Sequence, residues 1–293
     1  MSKIEMATEQ TLELPTRHPS QHSQSVVRPR RGSQSVYLNE LWRYRELLFF
    51  LAWRDVKVRY KQAALGAGWA ILQPLLNMIV FTIFFGRLVG VPSNGVPYPL
   101  FVFSALVMWT YFSGVVSQAG QSLLGNTNLI TKIYFPRVAM PASNALSGLL
   151  DLSIGLGFLV ILMAYYRIQP GWNLLLAPVF LLGLMTFTIG VSLILSALVV
   201  RFRDMKYTVP FLIQLGLFLT PVIYPTSLIP SRFRALAALN PLSGIIEGFR
   251  ASLFPGTRLD PLLTAVSLVM SVCVLLWGFL YFRRAERFFA DII

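Results

Sequence analysis

The chain has 293 residues, of which 55% are hydrophobic and 13% are charged, and its formal net charge is +13. Soluble domains are about 45–50% apolar and about 25% charged, so this composition predicts a membrane protein with several spans. In a soluble protein, so high a positive charge would indicate nucleic acid as a binding partner. Membrane proteins, however, collect Lys and Arg in cytoplasmic loops, and we expect no nucleic acid partner. The single cysteine, Cys273, excludes an internal disulfide and offers no paired metal site.

The first 65 residues divide into two segments. Residues 1–36 are polar and have few apolar side chains, so we predict a disordered cytoplasmic tail. The basic cluster at 28–31 fits either contact with anionic lipid or a solvated tail. In residues 37–65, apolar and aromatic residues recur at helical spacing opposite a charged face, which predicts an amphipathic interface helix. The alternative, a core helix of a soluble domain, is disfavoured because no soluble domain follows.

The remaining residues, 66–293, are predicted to form a transmembrane domain. A membrane-spanning helix needs about 20 largely apolar residues. The stretches that meet this requirement are 69–90, 99–122, 138–165, 174–200, 208–225 and 261–282. The predicted fold class is therefore an all-α polytopic membrane protein with six transmembrane helices. Lys and Arg are concentrated at the two ends of the chain and after the second and fourth spans, which predicts cytoplasmic termini.

Two connections between spans are unusual. Residues 126–141 are too polar to cross a bilayer and too apolar for a plain solvated loop. They predict a short cytoplasmic helix that docks on another protein. Residues 220–250 are apolar but broken by Pro and Gly, and two re-entrant half-helices fit them best. Irregular backbone at membrane depth persists only where protein or water satisfies its polar groups, so we expect this segment to lie against a translocation path.

Several kinds of catalytic chemistry are missing from the sequence. No Gly-Lys pair occurs anywhere, so the chain has no P-loop and cannot cradle nucleotide phosphates in one. It also has no His-Glu-x-x-His motif and no Cys or His cluster for a metal. We expect neither enzymatic activity nor a cofactor bound by this chain.

Ionisable residues at membrane depth are functional candidates, because burying a charge there is costly. Asp151 lies within the third predicted span and either faces a substrate path or makes a helix-packing contact. Glu247 lies three residues before Arg250 and either forms a local ion pair with it or belongs to an outer gate. Aromatic side chains in the second span either pack or stack on sugar rings along a path. These aromatic residues are Trp109, Tyr111 and Phe112.

Several motifs together resemble a known family. They are a helix over 41–62, Ala-Gly-Trp-Ala-Ile-Leu-Gln-Pro at 67–74, the connection 126–141, Arg-Phe-Arg-Asp at 201–204, Thr-Pro-Val-Ile-Tyr-Pro at 220–225, and Leu-Asn-Pro-Leu-Ser-Gly-Ile-Ile-Glu-Gly-Phe-Arg at 239–250. In this order they resemble the ABC-2-type permeases that export polysaccharides and polyol phosphates, including O-antigen, capsule and teichoic acid. The resemblance covers about residues 37–293.

The resemblance implies a homodimer of this chain in the bacterial inner membrane, with two separate ATP-binding cassette subunits that hold ATP and Mg²⁺. It also implies that the connection 126–141 is a coupling helix that docks on the ATPase. The residues given this role are Asn128, Leu129, Ile130, Lys132, Tyr134, Phe135 and Arg137. The interface helix would add contacts through Arg54, Asp55, Arg59 and Tyr60.

The resemblance further implies a lipid-linked glycan as substrate. Its diphosphate would need cations near the cytoplasmic entrance. The candidates are Arg201, Arg203 and Lys206, although ordinary positive-inside charge also explains them. The predicted substrate path thus comprises Trp109, Tyr111, Phe112, Asp151, Arg201, Arg203, Glu247 and Arg250.

Other functions stay open at this point. Within the family, the chain could instead be a permease for teichoic acid, capsule, lipid or drug. From a different class, it could be an ion-coupled secondary transporter or a non-transporting membrane scaffold. A secondary transporter would be active alone and would follow an ion gradient.

Overall fold

The computed structural model describes residues 43–61, 68–126, 135–202, 204–257, 259–287 and 289. Across these residues every regular element is a helix and no β-strand occurs, which confirms the all-α fold class. The predicted disordered tail, residues 1–36, lies outside the described residues.

The α-helices are numbered α1 to α9 in chain order. They are α1 (Arg45–Lys61), α2 (Trp69–Phe81), α3 (Tyr98–Gly125), α4 (Ala139–Tyr165), α5 (Ala177–Arg201), α6 (Met205–Leu219), α7 (Ser231–Ala238), α8 (Pro241–Leu253) and α9 (Pro261–Glu286). A π-helical segment, Thr82–Leu88, extends α2, and a 3₁₀ turn, Trp172–Leu176, leads into α5.

Among the described residues, five helical segments are long and apolar enough to cross a membrane. They are Trp69–Leu88, Tyr98–Gly125, Ala139–Tyr165, Trp172–Arg201 and Pro261–Glu286. Each agrees with a predicted span to within a few residues. Local hydrophobic length therefore located these spans correctly.

The predicted fifth span, 208–225, is wrong at its C-terminal end. The helix in this region, α6, has 15 residues and ends at Leu219. Its length is about 22 Å at about 1.5 Å per residue, which is shorter than the roughly 30 Å hydrocarbon core. Thr220 is extended and precedes Pro221, and a residue before proline is disfavoured in the helical region. A count of six spans is therefore not confirmed.

Helix α3 occupies the centre of the helix bundle. It packs against α2, α4, α5 and α6, and residues along almost its whole length are buried. The most extensive contact between two helices is that of α5 with α9, and the two helices approach each other at two glycines. A Cβ atom added to Gly190 would lie 2.7 Å from the Leu275 nitrogen, and one added to Gly278 would lie 2.5 Å from the Gly190 oxygen. Small residues allow this close backbone contact, as is common between membrane helices.

Helix α1 packs against α4. Its buried residues are Leu51 and Ala52. Phe49 is 69% exposed and Val58 is also 69% exposed. The side that faces the protein also carries charged residues, described below, so α1 contacts α4 through polar as well as apolar side chains. Its place in the membrane interface stays a prediction.

The predicted pair of short helices between the last two long segments is present as α7 and α8. Every residue of α8 is buried except Glu247, and the helix packs against α5 and α9. Asn240 caps α8, since its side chain accepts a hydrogen bond from the Leu242 nitrogen at 3.2 Å. Protein surrounds α8, and this is the condition under which a short helix persists at membrane depth.

Candidate functional site

Asp151 joins three helices. It lies near the middle of α4, and both of its carboxylate oxygens accept hydrogen bonds from α1. Arg59 Nη1 donates to Oδ2, and the Tyr60 hydroxyl donates to Oδ1. Arg59 Nη2 donates to Gln118 Oε1 on α3. The side chains of Arg59 and Asp151 are 26% and 21% exposed, so most of this ion pair is shielded from solvent.

A cleft of about 350 Å³ lies beside this ion pair. Its polar lining residues are Arg59, Tyr60, Gln73, Thr110, Gln118 and Asp151, and its rings come from Trp69 and Tyr111. Arg59 and Tyr60 were predicted to contact the ATPase, whereas Tyr111 and Asp151 were predicted to lie on a substrate path. The structure brings all four to one cleft.

Sequence reasoning missed two glutamines in this cleft, Gln73 and Gln118. Each lies within a largely apolar helix, α2 or α3. A polar amide in such a helix is costly to bury unless it has a partner or reaches water. That signal was available in the sequence, but nothing in the sequence paired these amides with Asp151.

A second cavity, of about 310 Å³, lies next to the first and shares Arg59 and Gln118 with it. Arg54 forms an ion pair with Asp55 at 2.9 Å along this cavity. Arg54 Nη1 also donates to Asn126 Oδ1 at 3.1 Å, and Asn126 is the C-terminal cap of α3. Arg54, which is paired with Asp55, thus joins α1 to the end of α3, immediately before residues 127–134.

The predicted coupling helix is only partly described. Asn128, Leu129, Ile130, Lys132 and Tyr134 lie outside the described residues. Phe135 is 4% exposed, so its ring is largely covered within this chain, and its docking on another subunit stays a prediction. Arg137 Nη1 donates to the Glu286 carbonyl at 3.0 Å, and the Arg137 amide donates to Glu286 Oε1 at 3.2 Å. These bonds tie the segment to the end of α9.

Two of the aromatic path candidates belong to the core. Trp109 is 7% exposed, and a Cβ atom on Gly216 of α6 would lie 2.9 Å from its ring. Phe112 is 8% exposed and stacks on Phe187 of α5, with ring centroids 5.5 Å apart. Their predicted place on a path is corrected, because tight packing between α3, α5 and α6 covers both rings. Tyr111 is nearly buried as well, but it lines the cleft.

Arg250 braces irregular backbone. It is 1% exposed and lies over the Phe101 ring at 3.5 Å. Its guanidinium donates to the carbonyls of Phe101, Pro221 and Val222 at 2.7–3.2 Å. Pro221 and Val222 follow α6 and lie outside any helix, so the Arg250 side chain satisfies their carbonyl groups. The predicted path role of Arg250 is corrected, because the guanidinium is enclosed by protein.

Glu247 forms the predicted local ion pair with Arg250 at 3.5 Å. It also accepts a hydrogen bond from the Thr226 amide at 2.9 Å. Burial lowers the pKa of Arg250 to about 10, and the Glu247 carboxylate opposes that shift, so the arginine stays charged at neutral pH. Glu247 lines a cavity of about 710 Å³ between α7, α8 and the start of α9. Its role in a gate stays a prediction.

The other basic candidates give less information. Arg201 is exposed at the end of α5 and lies over the Phe202 ring at 5.2 Å, and Arg203 is outside the described residues. Lys206 is exposed. Within the described residues, no group of three or more His, Cys, Asp or Glu side chains could hold a metal ion.

Comparison with known proteins gives this fold a family. The sequence pattern of the ABC-2 type transporter matches residues 46–254, which include α1, the cleft and α8. The chain belongs to the ABC-2 type transporter family. It is 33% identical over 255 residues to the O-antigen export system permease protein RfbA of Myxococcus xanthus, covering 86% of this chain and 97% of that one.

Two more relatives agree with this assignment. An O-antigen export system permease protein RfbA of Klebsiella pneumoniae is 28% identical, with 85% of this chain and 95% of that protein covered. The polysialic acid transport protein KpsM of Escherichia coli is 22% identical, with 80% and 91% covered. The cleft beside Asp151 therefore lies within the residues that match the ABC-2 type transporter family.

Proposed function

We propose that this chain is the permease subunit of an ABC exporter that moves a lipid-linked, O-antigen-like polysaccharide across the bacterial inner membrane. The observation that carries the proposal is the 33% identity to an O-antigen export permease over 97% of that protein's length. Five helical segments of spanning length, within the described residues, support the membrane location. Both termini lie in the cytoplasm in this proposal, as the distribution of Lys and Arg predicts.

The energy for export comes from a separate ATP-binding cassette subunit, which holds ATP and Mg²⁺. The 293-residue sequence has no P-loop, so the chain needs such a partner. Two copies of this permease and two ATP-binding subunits form the exporter. The ATPase contact lies at residues 126–137 and at the adjacent part of α1.

The ion pairs of α1 suit it to transmit motion. Arg54 joins α1 to Asn126 at the end of α3, while Arg59 and Tyr60 join it to Asp151. A movement of residues 126–137 would therefore reach the middle of α4 through α1. ATP binding can shift the equilibrium between two states of the transporter only if ATP binds one state more tightly than the other. In this proposal, the polar bonds of α1 are contacts that differ between those two states.

A deletion of the gene tests the proposed function. The deletion strain should keep finished lipid-linked polymer on the inner face of the membrane and lose it from the surface, as measured by immunoblotting of intact and lysed cells. A plasmid copy of the gene should restore export, and a copy paired with an ATPase subunit lacking its P-loop lysine should not. Normal surface glycan in the deletion strain would overturn the proposal.

A second candidate is a capsule permease, because the polysialic acid transport protein KpsM is also related, at 22% identity. Chemical analysis of the polymer retained in the deletion strain separates these two functions. An ion-coupled carrier would instead be stopped by dissipation of the proton gradient while ATP is maintained.

A further inference from the structure

The two cavities beside α1 form one polar furrow. We call it the α1 furrow and define it as the cavities of about 350 and 310 Å³ that share Arg59 and Gln118. Its walls come from α1, α2, α3 and α4 of a single chain. It starts at Asn126, beside residues 127–134, and reaches Asp151 near the middle of α4.

Charge in the α1 furrow is balanced. Its described lining includes four charged side chains, and they form two ion pairs: Arg54 with Asp55, and Arg59 with Asp151. The other polar lining groups are neutral amides and hydroxyls. The furrow therefore presents many hydrogen-bond donors and acceptors without a net charge.

This balance disfavours a phosphate group as the occupant. A phosphate is held best by cations whose donors are free to bind it. Arg59 already donates to Asp151 and Gln118, and Arg54 already donates to Asp55 and Asn126. The two carboxylates would also repel an anion.

A sugar suits the same lining. Its hydroxyl groups both donate and accept, so they match carboxylates, amides and guanidinium groups together. The apolar face of a sugar ring also needs an aromatic or aliphatic surface. The 350 Å³ cavity supplies the ring of Trp69, which is half exposed, next to the polar groups.

We propose that the α1 furrow is a glycan-binding site within one permease subunit, which holds a sugar unit of the exported polymer between Asp151, Gln118 and Trp69. The proposal rests on the proposed function, since it takes the sugar to be part of the exported glycan. Asp151 and Gln118 supply the hydrogen bonds, and Trp69 supplies the ring surface.

A protection experiment tests this site. The full permease with its ATP-binding subunit is placed in nanodiscs, and the exposed Cys273 is replaced by Ser. A Gln73→Cys reporter is placed in the 350 Å³ cavity of the α1 furrow, and a Lys206→Cys reporter serves as a control at an exposed position outside it. The alkylation rate with a water-soluble maleimide is measured with methyl glycosides of the common hexoses and of N-acetylglucosamine, and separately with farnesyl diphosphate.

At least one glycoside should protect the Gln73→Cys reporter and leave the control unaffected. A glycoside at twice its Kd leaves about a third of the sites free, so labelling should slow about threefold. A series up to about 100 mM saturates a site of millimolar Kd. Asp151→Asn and Gln118→Ala should each raise the glycoside concentration needed for protection. Glu247→Gln, in the cavity of about 710 Å³, should leave that concentration unchanged. Gln118 is exposed, so its variant tests the site even if Asp151→Asn fails to fold.

Two outcomes would overturn the proposal. Protection by farnesyl diphosphate but by no glycoside would make the α1 furrow an anionic lipid site. Normal labelling of both reporters in every mixture would leave the furrow filled by water alone. A deletion strain that lacks surface glycan would still support the proposed function in either case, so the two proposals fail separately.

Discussion

The ion pair between Arg59 and Asp151 should hold α1 on the bundle, and Asp151→Ala tests this. Breaking an enclosed ion pair costs about 3–5 kcal/mol, and breaking an exposed one costs about 0–1 kcal/mol. The two side chains here are 26% and 21% exposed, which lies nearer the enclosed case. Gln118 remains as a partner for Arg59, while the Tyr60 hydroxyl loses its acceptor, a change of about 1 kcal/mol. We expect a loss of about 2–3 kcal/mol.

The assay is a double-mutant cycle with Asp151→Ala, Arg59→Ala and the combined variant. Unfolding in detergent is followed by tryptophan fluorescence, and tryptic cleavage at the exposed Lys61 reports release of α1. Coupling between the two sites should be about 1–2 kcal/mol. Asp204→Ala, at an exposed carboxylate, is the matched control and should change stability by less than about 0.5 kcal/mol.

Additive effects would refute this reasoning. If the combined variant lost the sum of the two single losses within about 0.5 kcal/mol, the side chains would not interact. Unchanged tryptic cleavage in a destabilised Asp151→Ala variant would show that the carboxylate supports α4 without holding α1.

Arg250→Lys should lower stability by about 3–5 kcal/mol in thermal unfolding, because an ammonium group cannot reproduce a planar guanidinium bonded to several carbonyls. Gly190→Ala should cost about 1–3 kcal/mol in the same assay, because its Cβ atom would meet the α9 backbone; Gly157→Ala, where space is open, should be neutral or stabilising. A cysteine at Asn128 in the Cys273→Ser background should react with an impermeant maleimide in inverted vesicles, whose cytoplasmic side faces outward. It should not react in right-side-out vesicles.

Each of these three predictions has an opposing outcome. Wild-type stability of Arg250→Lys would show that the carbonyls after α6 find other donors. Equal effects of the two glycine substitutions would mean that helix propensity, and not the contact between α5 and α9, decides stability. External labelling at Asn128 would reverse the topology.

The long membrane helices were predicted well because their signal is local. A run of about 20 apolar residues needs no partner to be recognised. Helix α6 was placed too far along the chain, since the apolar run continues past Thr220 while the helix stops before Pro221. The short helices α7 and α8 were indicated by the spacing of Pro and Gly.

The roles of individual side chains were harder to predict, because they depend on the neighbouring helices. Trp109 and Phe112 were candidates for a path and lie in the core. Phe135 was a candidate for docking and is covered by this chain. In each case a single helix shows only that a side chain is apolar, and the packing decides whether a ring faces a cavity or another helix.

The sequence by itself determined the membrane-spanning segments, the lack of a P-loop and the resemblance to a family. These depend on hydrophobic length, on a missing phosphate-binding motif and on the order of motifs, all of which are one-dimensional. Only the tertiary structure decided that Arg59 and Tyr60 meet Asp151, and that Arg250 bonds the carbonyls beyond α6. A charged group shielded from water must find a partner, but that partner can lie anywhere along the chain that folding brings within reach.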